Sequence, residues 1–97
     1  MGSGAIGFGL VGTGMSGGFM AREMNHVEGG ELVAVCSRNQ DNVRGFANAN
    51  EVEHWFTDYR DLVDHDDVDV VIVSLPSGLH ADVTIAASAA GKHALVE

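Results

Sequence analysis

Short apolar runs alternate along this chain with stretches of helical period, and that alternation sets the expected architecture. Ile6, Phe8, Leu10 and Val11 carry a first strand from Ile6 to Val11, although Gly7 and Gly9 weaken its propensity. Gly18 to Val27 reads as a helix, with Met20, Met24 and Val27 sharing one face. Gly29-Gly30 breaks the chain. Leu32 to Cys36 is then a continuous apolar run, as expected of a strand buried on both faces. Asn39 to Ala49 forms a second helix, with Asn39 as N-cap and Val43, Phe46 and Ala47 inward. Val52, His54 and Phe56 alternate weakly and predict a short strand, with Trp55 at a sheet edge. Thr57 or Asp58 caps a brief helix that turns Tyr59, Leu62 and Val63 inward. Val68 to Val73 is the strongest strand, interrupted by Asp69 near its start. Pro76, Ser77 and Gly78 make a turn. Leu79 to Ala90 is a helix with Leu79, Val83, Ala86 and Ala90 on one face, and Gly91 stands at its C-cap. Ala94, Leu95 and Val96 begin a last strand.

Strands alternating with helices imply an α/β fold with a parallel sheet covered on both faces. Right-handed crossovers leave few topologies. A Rossmann-type doubly wound sheet of about five strands, in the order 3-2-1-4-5, follows if the glycine run after the first strand marks the switch point. The 97 residues suffice for one domain, 5–97, preceded by Met1-Gly2-Ser3-Gly4, which resembles an expression leader.

Charge and composition narrow the chemistry. With 14 acidic and 5 basic residues the net charge is −9, which argues against nucleic acid as a partner. An anionic cofactor is still compatible, because a helix N-terminus holds a pyrophosphate with backbone N–H groups. No apolar run approaches the roughly 20 residues of a membrane span, and a cytoplasmic location is expected. Cys36 is the single cysteine, so no internal disulfide or cysteine-based zinc site is expected, and it reads as a small apolar filler. His26, His54, His65, His80 and His93 form no i, i+4 pair, and the aspartates between Asp58 and Asp69 read as a solvated helix and loop, so no metal site is expected. His80 and Ser74 do not suggest nucleophilic catalysis, because no G-x-S-x-G elbow accompanies them.

The run Gly12-Thr13-Gly14-Met15-Ser16-Gly17 is a G-x-G-x-x-G that follows a strand and opens a helix, the context in which the motif binds a dinucleotide. Gly12 allows the tight turn, Gly14 lets the backbone approach the pyrophosphate, and Gly17 lets the helix pack close to the sheet. A shifted match at Gly7, Gly9 and Gly12 would leave almost no strand before the loop. The ribose-reading position, about 20 residues past the loop, falls on Ser37. An acid there would bind the 2′-hydroxyl of NAD. Ser37 and Arg38 instead suit the 2′-phosphate of NADP. The competing reading makes Ser37 a helix cap and Arg38 a solvated charge.

Several stretches together resemble the N-terminal part of the Gfo/Idh/MocA oxidoreductases, the glucose–fructose oxidoreductase and inositol dehydrogenase family. They are Gly9-Leu10-Val11-Gly12-Thr13-Gly14, the segment from Glu31 to Arg38, Thr57-Asp58-Tyr59-Arg60-Asp61-Leu62, and the block from Asp67 to Pro76 that continues to His80 and to Gly91 through Glu97. The resemblance covers nearly all of residues 5–97. It implies a nicotinamide cofactor, NADP or NAD, used on sugars, polyols or related small molecules. It implies that the Ser74-Leu75-Pro76 turn, His80 and Glu97 lie along the nicotinamide-side ribose. Glu97 matches the glutamate of the family's Glu-Lys-Pro motif, whose lysine is catalytic. That lysine and the substrate domain are not among these residues, so the chain is expected to hold cofactor without turning over substrate. Alternatives are a truncated or engineered folding or assembly module with vestigial binding, and a Rossmann-like domain for another adenine ligand. An apolar last strand also leads us to expect homo-oligomers formed through that edge.

Overall fold

The computed structural model describes residues 6–12, 29–75 and 80–96. The strands are β1 (Ile6–Val11), β2 (Gly30–Cys36), β3 (His54–Phe56), β4 (Val70–Val73) and β5 (His93–Val96). The helices are α1 (Gln40–Ala49), α2 (Tyr59–Val63) and α3 (His80–Ala89). The strands form one five-stranded sheet in the order β3-β2-β1-β4-β5. Every neighbouring pair is parallel. This is the expected Rossmann-type α/β arrangement. The expected helix from Gly18 to Val27 lies outside the described residues.

Successive strand residues point to opposite sides of the sheet, and each side has its own core. Leu10, Val35 and Ile72 pack with Val43 and Ala47 of α1, and half-buried Trp55 of the edge strand β3 covers that cluster. Val11, Cys36, Val71 and Val73 pack with Leu62 and Val63 of α2 and Val83 and Ala87 of α3. An irregularity interrupts the register of β1 on β2, where Phe8 faces Leu32 but Gly9 faces Ala34. Val33 is the extra residue. It and Ala34 both face the α2–α3 side, as a β-bulge requires.

Local chemistry ends the helices where the sequence indicates. The Asn39 carboxamide accepts from the Asn42 amide at 2.8 Å, and the Asp58 carboxylate from the Arg60 amide at 2.9 Å. Gly91 adopts φ +77°, with its amide on Ser88 O at 3.0 Å and the Lys92 amide on Ala87 O at 2.8 Å. That double bond is the Schellman ending, which needs a residue tolerant of positive φ.

The structure shifts some boundaries. β2 begins at Gly30, before the apolar run, because ladder pairing with Ile6 needs backbone and no apolar side chain. β4 begins at Val70 rather than Val68, because the Val68 amide closes a turn onto His65 O at 3.1 Å. Asp69 is the hinge of that entry. Its amide donates to Gly7 O at 2.7 Å, and its carboxylate accepts the Gly7 amide at 2.7 Å. Lys92 closes the same edge, with Nζ donating to His65 O at 2.6 Å and to Val68 O at 2.5 Å. At the far side of the sheet, Ile85 on α3 and Leu95 and Val96 on β5 are exposed. Among the described residues no helix is long and apolar enough to cross a membrane.

Candidate binding site at the carboxyl edge

All five strands run the same way, so their carboxyl ends meet along one edge of the sheet. In a doubly wound sheet, ligands bind outside that edge, where the strand order reverses. Here the reversal lies between β1 and β4, which are neighbours although β2 and β3 intervene in sequence. A crevice of about 460 Å³ opens at this place, within the range of small-molecule sites.

Gly12 makes the exit from β1 possible. Its φ is +106°, and a Cβ built on it would lie 2.0 Å from Ser74 O. The close approach is held by the Gly12 amide on Cys36 O at 2.9 Å and the Ser74 amide on Val11 O at 2.8 Å. Gly12 therefore has the positive φ that a tight exit from β1 requires, and its missing side chain clears room for the backbone leaving β4. Thr13, Gly14, Met15, Ser16 and Gly17 lie outside the described residues, as do Pro76 and Glu97.

Ser37 and Arg38 follow β2 directly and both line the crevice. Ser37 is half-buried, with its amide on Phe56 O at 3.2 Å and its hydroxyl accepting weakly from the Asn39 amide at 3.4 Å. The helix cap itself is Asn39, so Ser37 is not consumed by that role. Arg38 is exposed, and among the described residues no ion pair engages it, whereas Arg44 and Arg60 pair with Asp41 and Asp58. Leu75 also lines the crevice. Ser74 contributes the carbonyl that faces Gly12. His80 opens α3 half-buried, and its Nε2 donates to Leu75 O. That bond fixes the ring against the β4 exit and leaves Nδ1 as its remaining polar atom.

The crevice has a wall that periodicity did not reveal. Thr57, Asp58 and Tyr59, read from sequence as a helix start, line it together with Asp82 of α3. The signal was available in principle, since any residue just past a strand's carboxyl end faces this edge. Asp58 is held in place by Arg60, whose guanidinium reaches it at 2.8 and 3.0 Å. The Arg60 guanidinium, and then its amide, hold the Asp58 carboxyl below the usual value of 3.8. Cys36 closes the floor. Burial, helped by the charges of Asp58 and Asp61, pushes its thiol up to about 12. At neutral pH it is a protonated apolar surface and not a nucleophile.

Comparison with known proteins agrees with this geometry. Residues 6–97 match the model of the Gfo/Idh/MocA family, described as an oxidoreductase family with an NAD-binding Rossmann fold. A "glycosyl hydrolase family 109 protein" from a Shewanella species is 36% identical over 98 residues, covering 92% of this chain and 21% of the relative. Scyllo-inositol dehydrogenase from Lactobacillus casei, solved with bound NAD(H) and scyllo-inositol, superposes with a TM-score of 0.89 at 31% identity, over 95% of this chain and 27% of that one. Biliverdin reductase from Synechocystis, solved with biliverdin and NADP+, gives 0.86 at 25% identity, over 94% and 28% of the two chains. The chain thus spans 21% to 28% of the length of these relatives. Parallel sheet, switch-point crevice, glycine exit and family match converge, and the chain belongs to the Gfo/Idh/MocA oxidoreductases as their NAD-binding Rossmann domain.

Proposed function

We propose that this domain prefers NADP to NAD and is the cofactor-holding part of an oxidoreductase acting on sugars, polyols or related small molecules. The observation that carries the preference is Arg38, exposed at the crevice with no ion-pair partner among the described residues, beside the uncharged Ser37. The pyrophosphate is common to both cofactors, so the glycine loop cannot discriminate between them. Discrimination falls to the end of β2, where an acid would favour the 2′-hydroxyl and a hydroxyl with a guanidinium favours a 2′-phosphate. Asp58, which lines the same crevice, opposes a phosphate less than a bare carboxylate would, because Arg60 is bonded to it.

A charge-assisted contact of this kind is worth about 1.5–3 kcal/mol, or about ten- to a hundredfold in affinity. Titration of both nucleotides should show tighter NADP binding, a preference that shrinks with added salt, and reversal in the Ser37→Asp, Arg38→Ala double variant. Equal affinities in the unmodified chain would sink the assignment. Failure of either nucleotide to bind would favour the alternative of a folding or assembly module.

We also infer that copies of this chain associate through the β5 edge. Leu95 and Val96 are exposed there, and an unpaired strand edge with apolar side chains invites another chain. Sedimentation velocity should show a dimer that Leu95→Lys dissociates. A monomer at every concentration would refute it.

A further inference from the structure

Away from the crevice, the fold gathers three side chains that the sequence keeps apart. His54 opens β3, while His65 and Asp67 lie in the connection between α2 and β4. One potential ligand atom from each lies within 4.8 Å of the others, and all three residues are half-buried. The two imidazoles sit with ring centroids 4.3 Å apart and tilted by 45°, and Phe56 walls the group 5.9 Å from the His65 ring. Glu53 adds a second carboxylate at the rim, 3.9 Å from His54 Nε2. Exposed Asp64 and Asp66 flank His65 in the chain and make the surroundings acidic.

We propose that His54, His65 and Asp67 bind a late first-row divalent cation of the zinc type. Two imidazoles and one carboxylate are the donor set such ions favour over magnesium or calcium. Zinc–nitrogen bonds of about 2.0–2.1 Å in a tetrahedron put ligand atoms about 3.3 Å apart. Binding would draw these atoms in from their present spread of up to 4.8 Å, and water would complete the coordination. His65 Nδ1 accepts the Asp67 amide at 3.1 Å, so in the neutral ring the proton resides on Nε2. A cation at Nδ1 displaces one N–H donor and leaves that proton in place. A cation at Nε2 would force a proton onto Nδ1, directly against the Asp67 N–H. By either route the Asp67 N–H loses its acceptor on His65 Nδ1, so this amide reports occupancy of the site. The bound ion ties the start of the edge strand β3 to the connection that leads into β4. Sequence spacing gave no hint of this, because the pair is brought together by the path of the chain around α2.

The test is calorimetric titration of the whole chain with Zn2+ alone, without nucleotide. One saturable equivalent is expected. His54→Gln and His65→Gln should each weaken it by more than about tenfold, the scale lost even when an outer-shell partner of a ligand is removed. His93→Gln, on exposed β5, should leave it unchanged. In amide NMR spectra the Asp67 signal should shift on saturation, because its N–H loses its acceptor. If a histidine variant fails to fold, Asp67→Asn takes its place. A folded chain with no saturable Zn2+ binding, or binding indifferent to all three cluster substitutions, overturns the proposal.

Discussion

At the carboxyl edge the strands end around an open crevice, and the side chains past β2 are lightly held. Ser37 has one long bond to its hydroxyl, and no ion pair engages Arg38 among the described residues. At the amino edge the chain is tied down. The Gly7 amide and carbonyl both bond Asp69 at 2.7 Å, and the Lys92 ammonium spans two carbonyls of the connection before β4. Both edges have a glycine pressed against backbone. A Cβ on Gly7 would lie 1.8 Å from Asp67 O, and one on Gly12 would lie 2.0 Å from Ser74 O. The lesson is a division of labour. The end of β2 at the crevice leaves Arg38 without an ion pair among the described residues, and the opposite edge spends its polar groups on holding the sheet.

The largest effects should come from the two glycines, and they separate the edges. Each alanine meets a carbonyl that must shift, and overpacking of this kind costs about 1–3 kcal/mol or more. Gly12→Ala adds strain from its positive φ. Urea unfolding should show both variants destabilised, Gly12→Ala the more. The folded fraction of Gly7→Ala should bind nucleotide normally, while that of Gly12→Ala should bind weakly. Equal binding losses would break the comparison.

Next in size is Lys92→Met, which deletes two bonds from a charged donor, each worth about 1.5–3 kcal/mol in favourable cases. Lys92 is half-buried and its methylene stem is replaced by a similar apolar chain, so a net loss of about 2 kcal/mol is expected. The urea midpoint should fall while NADP affinity stays within error. A variant as stable as the parent would show that the amino edge does not depend on this clasp.

The smallest effect belongs to Asp58 in the crevice wall. Its folded carboxyl titrates below 3.8, so the charged form is favoured by folding. The resulting stability is present above the ordinary carboxylate range and is lost as the pH falls through the lowered value. Asparagine keeps the helix cap but not the ion pair. Asp58→Asn should therefore be slightly less stable than the parent near neutrality and indistinguishable from it in strong acid. A difference that persists in acid would assign the effect to the cap.

How far the sequence reached depends on what kind of signal each feature leaves. Sheet order was legible because the glycine run marks the switch point and each helix has a cap of its own, Asn39, Asp58 and Gly91 among them. Ser37 and Arg38 were found by counting from the loop, and both line the crevice. Thr57, Asp58, Tyr59 and Asp82 were not, since lining a crevice depends on where several separate chain segments come together in space. Val68 was read as strand because it is apolar and buried, yet its amide serves a turn. Hydrophobicity reports burial and is silent on hydrogen-bond partners. The His54, His65 and Asp67 group leaves no periodic trace at all.

The extra residue at Val33 also decides how β2 keeps its register on β1. β2 reads Leu32-Val33-Ala34-Val35-Cys36, apolar throughout, so hydrophobic patterning does little to stop the strand slipping by one residue along β1. The bulge supplies the missing index mark. It divides β2 into a part phased from Ile6 and a part phased from Gly9. Deleting Val33 would heal the bulge, with Leu32 and Ala34 pairing Phe8 and Gly9 in regular alternation, so that the chain past Cys36 would keep its place. A length change of one residue at this point of β2 is thus absorbed where the two registers meet, and the end of the strand stays where it is.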